Sequence, residues 1–161
     1  MNDIGVIQLR NGEFTIVDSE HFQWLNRWKW FVNHSGYAIR RKLTKGKCKA
    51  IFLHRLVNKT QDGQFTDHVN GFKLDNTSIN LRTANKSQNA CNCPKRNDGS
   101  SSRFKGVRWD EKRKTWVAYL SGGKNKHLGQ FDSEEKAAEA YNRAAKEKYG
   151  DFAKLNVVSQ P

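Results

Sequence analysis

TDHVNGFKLDNTSINLRTANKSQN, Thr66 to Asn89, is a stretch close to neutral in charge but dense in groups that can hold a metal ion and move a proton. Asp67 and His68 are adjacent, Asn80 follows His68 by twelve residues, and Asn89 follows Asn80 by nine. Val69-Asn70-Gly71 and Asp75-Asn76 are turn signals. A strand ending near His68 therefore returns as a second strand through Ile79 to Thr83, with Ser87 and Asn89 on a short helix. Strand, loop, strand and helix in this order can bring Asp67 and Asn89 together. The residue types suit phosphodiester hydrolysis, which needs a water deprotonated near neutral pH, the range in which an imidazole titrates. It also needs a cation to offset charge on the scissile phosphate and its leaving oxygen. Oxygen ligands from Asp67 and Asn89 suit a hard ion such as magnesium, for which manganese can substitute, better than zinc. The imidazole must also be oriented, and the amide of Asn80 can accept the proton on its second nitrogen.

Upstream, Val6 to Val17 (VIQLRNGEFTIV) alternates Ile7, Leu9, Phe14 and Ile16 around Asn11-Gly12. This predicts a hairpin whose two turn residues both take positive φ. Ser19 and Glu20 open a helical stretch with Phe22, Leu25 and Trp28 on a core face. GYAIRRKL from Gly36 reads as a strand carrying Arg40, Arg41 and Lys42, and AIFLHRLV runs from strand into a helical turn. His54 in that turn reads as a packing or backbone-capping residue. Asn92 to Ser101 is polar and aperiodic, the natural boundary between a first domain, 1–92 (β-rich 1–50, metal-site core 51–92), and a second, 102–157, across a linker 93–101.

The second domain shows three short apolar segments, near Phe104–Trp109, Thr115–Leu120 and Lys126–Phe131, separated by DEKRK and SGGKN. They predict a three-stranded antiparallel sheet. Ser133 is an N-cap with Glu134 and Glu135 in the first turn of an Ala-rich helix that Gly150 ends. Ala137, Ala140, Tyr141 and Ala144 face the sheet, and alternation turns Trp116, Ala118 and Leu120 toward the helix. Val117, Tyr119 and Ser121 then face outward.

The 161 residues carry 29 Lys plus Arg against 16 Asp plus Glu, a net charge of +13, which points to a polyanionic partner. His21 to Gln61 holds ten basic residues and no acidic one, while Gly99 to Lys126 holds eight basic and two acidic. Two basic blocks with interleaved aromatics predict two contacts with a nucleic-acid backbone. The second block lies on the strands and their turns, Arg113 included, so the sheet is expected to enter a major groove. No apolar run approaches the roughly 18 residues of a membrane span. Three cysteines without a CxxC pair are expected to be free thiols in a reducing cytoplasm, not zinc ligands.

LHRLV, DHVNG, DN and INLR, followed by an Asn in the next helix, resemble the HNH homing endonucleases of bacteriophages, which share a ββα-metal active site. The resemblance covers residues 1 to about 92 and implies His68 as general base, Asp67 as carboxylate metal ligand, Asn80 as the Asn positioning the base and Asn89 as the last ligand. From Ser101, FKGVRW, TWVAYL and HLGQFDSEEKAAEAYNRAA resemble the plant ethylene-response-factor DNA-binding domain of the Apetala-two type. Lys105 and Arg108 match its basic contacts in the first strand, and Tyr119, Ser121, Asn125 and His127 fall where its later strands touch DNA. Tyr119 and Ser121 stand where that family has Glu and Arg, and His127 where it has Trp, so its base preference is not carried over. The resemblances imply an α+β, two-domain, magnesium-dependent monomeric endonuclease nicking one strand of double-stranded DNA per active site in a host cytoplasm, without membrane contact. The alternative is a non-catalytic sequence-specific DNA-binding regulator; an RNA-cleaving enzyme is a third reading, disfavoured by a major-groove sheet.

Overall fold

The computed structural model describes residues 3–95, 99–121 and 125–158; within the expected linker and the expected SGGKN turn, residues 96–98 and 122–124 lie outside the described residues. The chain is α+β and divides into two compact units, Met1–Lys86 and Ser87–Pro161, a division that falls upstream of residue 92. Among the described residues no helix is long and apolar enough to cross a membrane.

In the first unit, β1 (Ile4–Gln8) and β2 (Phe14–Asp18) form an antiparallel hairpin, followed by α1 (Ser19–Leu25). β3 (Phe31–Val32), β4 (Ala38–Thr44) and β5 (Lys47–Phe52) make an antiparallel meander that runs straight into α2 (Leu53–Val57). β6 (Phe65–His68) and β7 (Leu81–Ala84) pair antiparallel, with a 3-10 turn at Ser78–Asn80, and α3 (Lys86–Cys91) follows in the chain. Ile7, Leu9, Val17, Leu25, Trp30, Ala38, Leu53, Val57 and Leu81 form the core, and the Trp30 indole N–H is satisfied by the Leu25 carbonyl at 2.8 Å.

The hairpin departs from the expected two-residue turn. Leu9 N–H donates to the Glu13 carbonyl (2.8 Å), and of Asn11 and Gly12 only Gly12 has positive φ, +85°. The loop is therefore Arg10-Asn11-Gly12, with Gly12 as a left-handed bulge residue. The extra loop residue shifts the pairing so that Ile7 faces Thr15 and Gln8 faces Phe14. Side chains alternate with period two, so the shift brings Thr15 and Val17 inward and sends Phe14 out to 55% exposure. The α1 start also differs: Asp18 occupies the N-cap position, and its Oδ2 accepts from the Ser78 N–H (2.7 Å) and hydroxyl (2.5 Å) instead of from the helix.

In the second unit, β8 (Val107–Asp110), β9 (Thr115–Leu120) and β10 (Lys126–Phe131) form an antiparallel sheet with β9 central. α4 (Glu134–Tyr149) packs on it, its N-cap Ser133 accepting from Lys136 N–H and its end marked by Gly150. Ala137, Ala138 and Ala145 are fully buried, so methyl-sized side chains let the helix lie close on Val107, Ala118 and Leu120. Val117 does not face solvent as expected; it is buried, because its register partners Arg108 and Gln130 flank it on both sides with longer side chains.

Candidate functional site

His68 and Asp67 end β6, where antiparallel register sets Asp67 opposite Arg82 and His68 opposite Leu81. The loop from Val69 to Asn80 is held by its own Asx side chains. Asn80 Oδ1 accepts from Asn70 N–H (2.9 Å) while its Nδ2 donates to the Asp75 carbonyl (2.7 Å), and Asn70 Nδ2 donates to Asp75 Oδ2 (2.7 Å). The same loop runs along β2, where Ile16 N–H donates to the Leu74 carbonyl (3.0 Å) and Asn76 N–H to the Ile16 carbonyl (2.8 Å).

His68 Nε2 donates to Asn76 Oδ1, 3.2 Å away, and not to Asn80, the amide expected to orient the base. The amide of Asn80 is spent on the loop backbone instead. The orientation of Asn76 follows from its other partners. Thr15 donates its hydroxyl proton to the Leu74 carbonyl (2.7 Å) and can then only accept from Asn76 Nδ2, 2.7 Å away. Asn76 Nδ2 thus points at Thr15, and Oδ1 points at the imidazole. Nε2 carries the proton, and Nδ1 holds the lone pair a general base needs. Asn76 and Thr15 are fully buried. Burial pushes the His68 pKa below its ordinary value, against the opposing pull of the Asn76 hydrogen bond and the Asp67 and Asp75 carboxylates. Sequence reading sees Asn76 only as half of a turn and does not single out Thr15.

His54 packs beside this group, its ring 5.2 Å from His68, 5.0 Å from Tyr37 and 5.4 Å from Phe52. It is 7% exposed, and among the described residues its Nδ1 has no hydrogen-bond partner. Burial first, then the proximity of His68 and Arg55, pushes its pKa down to about 3. His54 is therefore neutral in the fold but titrates near 6.5 when unfolded, so the unfolded chain binds the extra proton. The stability this neutral form contributes is complete above about pH 6.5 and is lost as pH falls toward 3, by up to about 1.4 kcal/mol per pH unit. Denaturant titrations of wild type and His54→Gln from pH 7 to pH 4 are expected to converge as pH falls; curves that stay parallel would contradict the assignment.

Asp67 is buried, and two of the three Arg82 guanidinium nitrogens reach its Oδ2, Nε at 2.8 Å and Nη2 at 2.7 Å. This holds the carboxylate in one rotamer. Asn89 lies on α3, its carbonyl accepting from the Cys93 thiol at 3.6 Å. Among the described residues, the three-member group of His, Cys, Asp or Glu with ligand atoms within 4.8 Å of one another is Asp18, Glu20 and His21. Asp18 there is already engaged by Ser78. Among the described residues Cys48, Cys91 and Cys93 form no disulfide.

The residues expected to touch DNA occupy distinct surroundings. Arg40, Arg41 and Lys42 lie on β4, with Arg41 and Lys42 exposed. In the second unit, Lys105, Arg108, Tyr119, Ser121 and Asn125 line one cavity of about 630 Å³. Arg108 donates to the Tyr119 hydroxyl (2.8 Å), and the Tyr119 ring meets His127 at 5.3 Å, so these three form a chain across the sheet. Lys105 turns inward, its ammonium donating to the carbonyls of Cys91 (2.6 Å) and Cys93 (2.5 Å), and burial lowers its pKa. Arg113 pairs with Asp110 at 2.9 Å in the β8–β9 turn.

The AP2 domain family profile matches residues 102–151. Over 149 residues, 91% of this chain and 76% of the relative, the sequence is 30% identical to an uncharacterized HNH endonuclease of Acanthamoeba polyphaga mimivirus. Over 96 residues, 58% of this chain and 76% of the relative, it is 33% identical to Protein 3.8 of Escherichia phage T7. No solved structure matches. A buried His-Asp pair on a strand-loop-strand segment, followed by an AP2 domain and matched along most of its length by a viral relative, places this chain in the HNH endonuclease family.

Proposed function

We propose that this chain is a metal-dependent endonuclease that hydrolyses a phosphodiester of double-stranded DNA, one strand per active site, acting as a monomer in a host cytoplasm. The observation that carries the reading is the Thr15–Asn76–His68 chain, which puts the proton of a buried imidazole on Nε2 and its lone pair on Nδ1. His68 takes the proton of the attacking water at Nδ1, while Asn76 holds the Nε2 proton and stabilises the imidazolium that forms. Asp67, with Asn89 as the resemblance implies, offers the oxygen donors that fit a hard cation such as magnesium, and Arg82 steadies Asp67 through Oδ2. A bound divalent ion supplies charge neutralisation at the scissile phosphate and its leaving oxygen. The AP2-type sheet, with Arg108, Tyr119 and His127 along it, sets register on the duplex, and Arg113, Ser121 and Asn125 complete the contact, while the ammonium of Lys105, expected from the resemblance to touch DNA, is instead held by the Cys91 and Cys93 carbonyls.

Supercoiled plasmid incubated with the protein is expected to accumulate open circles before linear product, with magnesium and not with chelator. Intact supercoils across varied target sequences in magnesium would overturn the catalytic reading and favour a DNA-binding regulator.

A further inference from the structure

A groove of about 600 Å³ in the first unit, away from the β6–β7 segment in sequence, is lined by Arg10, Trp28, Lys29, Phe31, Arg40 and Arg41. Four of the six are cations and none is acidic. Arg10 comes from the β1–β2 loop, where its N–H donates to the Trp30 carbonyl at 2.9 Å, so the loop is tied to the segment that carries Trp28 and Lys29. Among the described residues none of the four cations is paired with a carboxylate. Among the described residues the buried Arg40 Nε has no hydrogen-bond partner, a donor that a phosphate oxygen would satisfy.

The aromatic residues hold the guanidinium groups. Arg40 lies over the Trp28 ring at 4.3 Å and reaches Trp30 at 5.8 Å, and Arg41 lies over Phe31 at 5.6 Å. Trp28 also meets Trp24 and Trp30 edge to face, at 5.6 and 6.2 Å. The rings therefore serve as platforms whose partners are already cations. What they present to a ligand is the N–H edge of each guanidinium, oriented in advance, which is the geometry that takes phosphate oxygens two at a time. Along the adjoining β4–β5 ladder, exposed Lys42 stands directly opposite exposed Lys49, a like-charge pair that costs stability unless an anion covers it.

We propose that this groove is a phosphate clamp that grips consecutive phosphates of the DNA backbone, with Trp28 and Phe31 pre-orienting the arginines and Arg10 and Lys29 closing the sides. It rests on the reading of DNA as substrate and gives that substrate a second grip, built by the first unit alone. The competing occupant of such a surface is an acidic protein segment.

The test is duplex binding by fluorescence anisotropy with the full chain in chelator, across a sodium chloride series. Arg10→Ala with Lys29→Ala, both exposed positions whose loss leaves the core intact, is expected to lower the log-affinity against log-salt slope by about 1.8 and to weaken binding about 30-fold at roughly 0.15 M salt. Arg40→Lys keeps the charge and loses the planar fork, so its slope stays and its affinity falls severalfold. Lys136→Ala with Lys146→Ala on α4 removes the same charge elsewhere and is expected to leave the slope unchanged. A slope unaltered in the Arg10/Lys29 variant, as an acidic protein partner would give, or lowered equally by the α4 pair, overturns the clamp while wild-type nicking stands. Absence of salt-dependent duplex binding by the wild type overturns the clamp and the DNA reading together.

Discussion

His68→Ala is expected to slow plasmid nicking by about a thousandfold while leaving duplex affinity within about twofold, because it removes the proton acceptor and no backbone contact. Its supporting residues should give a graded series. Asn76→Ala deletes the group on Nε2 and frees the imidazole to take either tautomer, for a loss of about ten- to a hundredfold, the range typical of residues that orient a reacting ligand. Thr15→Val keeps shape but removes the oxygen that accepts from Asn76 Nδ2, so it should lower the rate with little change in fold, and Thr15→Ser should restore it. Single-turnover nicking rates at saturating protein separate these effects from binding. Undiminished nicking by His68→Ala would end the assignment, and equal rates for Thr15→Val and Thr15→Ser would remove Thr15 from the chain.

Gly106→Ala is expected to destabilise the second unit by about 3 kcal/mol, combining the cost of an L-residue in the left-handed region with overpacking. Gly106 has φ +74°, and an added Cβ would sit 2.2 Å from Tyr141 Cδ2 and 2.5 Å from the Tyr119 carbonyl oxygen. Neither neighbour can yield cheaply. Tyr141 is 3% exposed in the helix–sheet core, and the Tyr119 backbone belongs to the central strand, with its N–H donating to Gly106 O at 2.7 Å. For a unit of this size the loss corresponds to a drop of roughly 15 °C in its melting temperature. Thermal unfolding followed by near-UV circular dichroism reads the change; a shift of only a degree or two would show that the strand and helix separate easily at this point.

Much of the second unit was legible because its signals are local. The strands at Thr115–Leu120 and Lys126–Phe131 stand where alternation and turn residues put them, and Ser133 caps α4 as a serine before two glutamates should. The first strand begins later than expected, at Val107, because Gly106 turns the chain with positive φ. Val117 was misread because alternation identifies two faces but not what covers each one. From Phe65 to Cys91 the order of strand, loop, strand and helix follows the turn signals, yet the amide that serves His68 does not. Asn76 and Asn80 are chemically identical and four positions apart, so composition and spacing cannot tell which one reaches the ring. The groove was legible only as a charge block, since nothing local joins Arg10 to Arg40.

Sequence alone determined the residue types in the Thr66–Asn89 segment, the two basic blocks and the α+β order of elements, because turn propensity, helix capping and hydrophobic period act within a few neighbouring residues. Tertiary structure decided the rest. A three-residue loop in place of a two-residue turn moved β2 by one position and brought Thr15 inward. Thr15 then meets Asn76 from 61 positions away, and that contact sets which nitrogen of His68 carries its proton. A one-residue register choice is nearly neutral for the local chain. Burial of Ile7, Leu9 and Val17 against the rest of the core selects it, and with it the tautomer of His68.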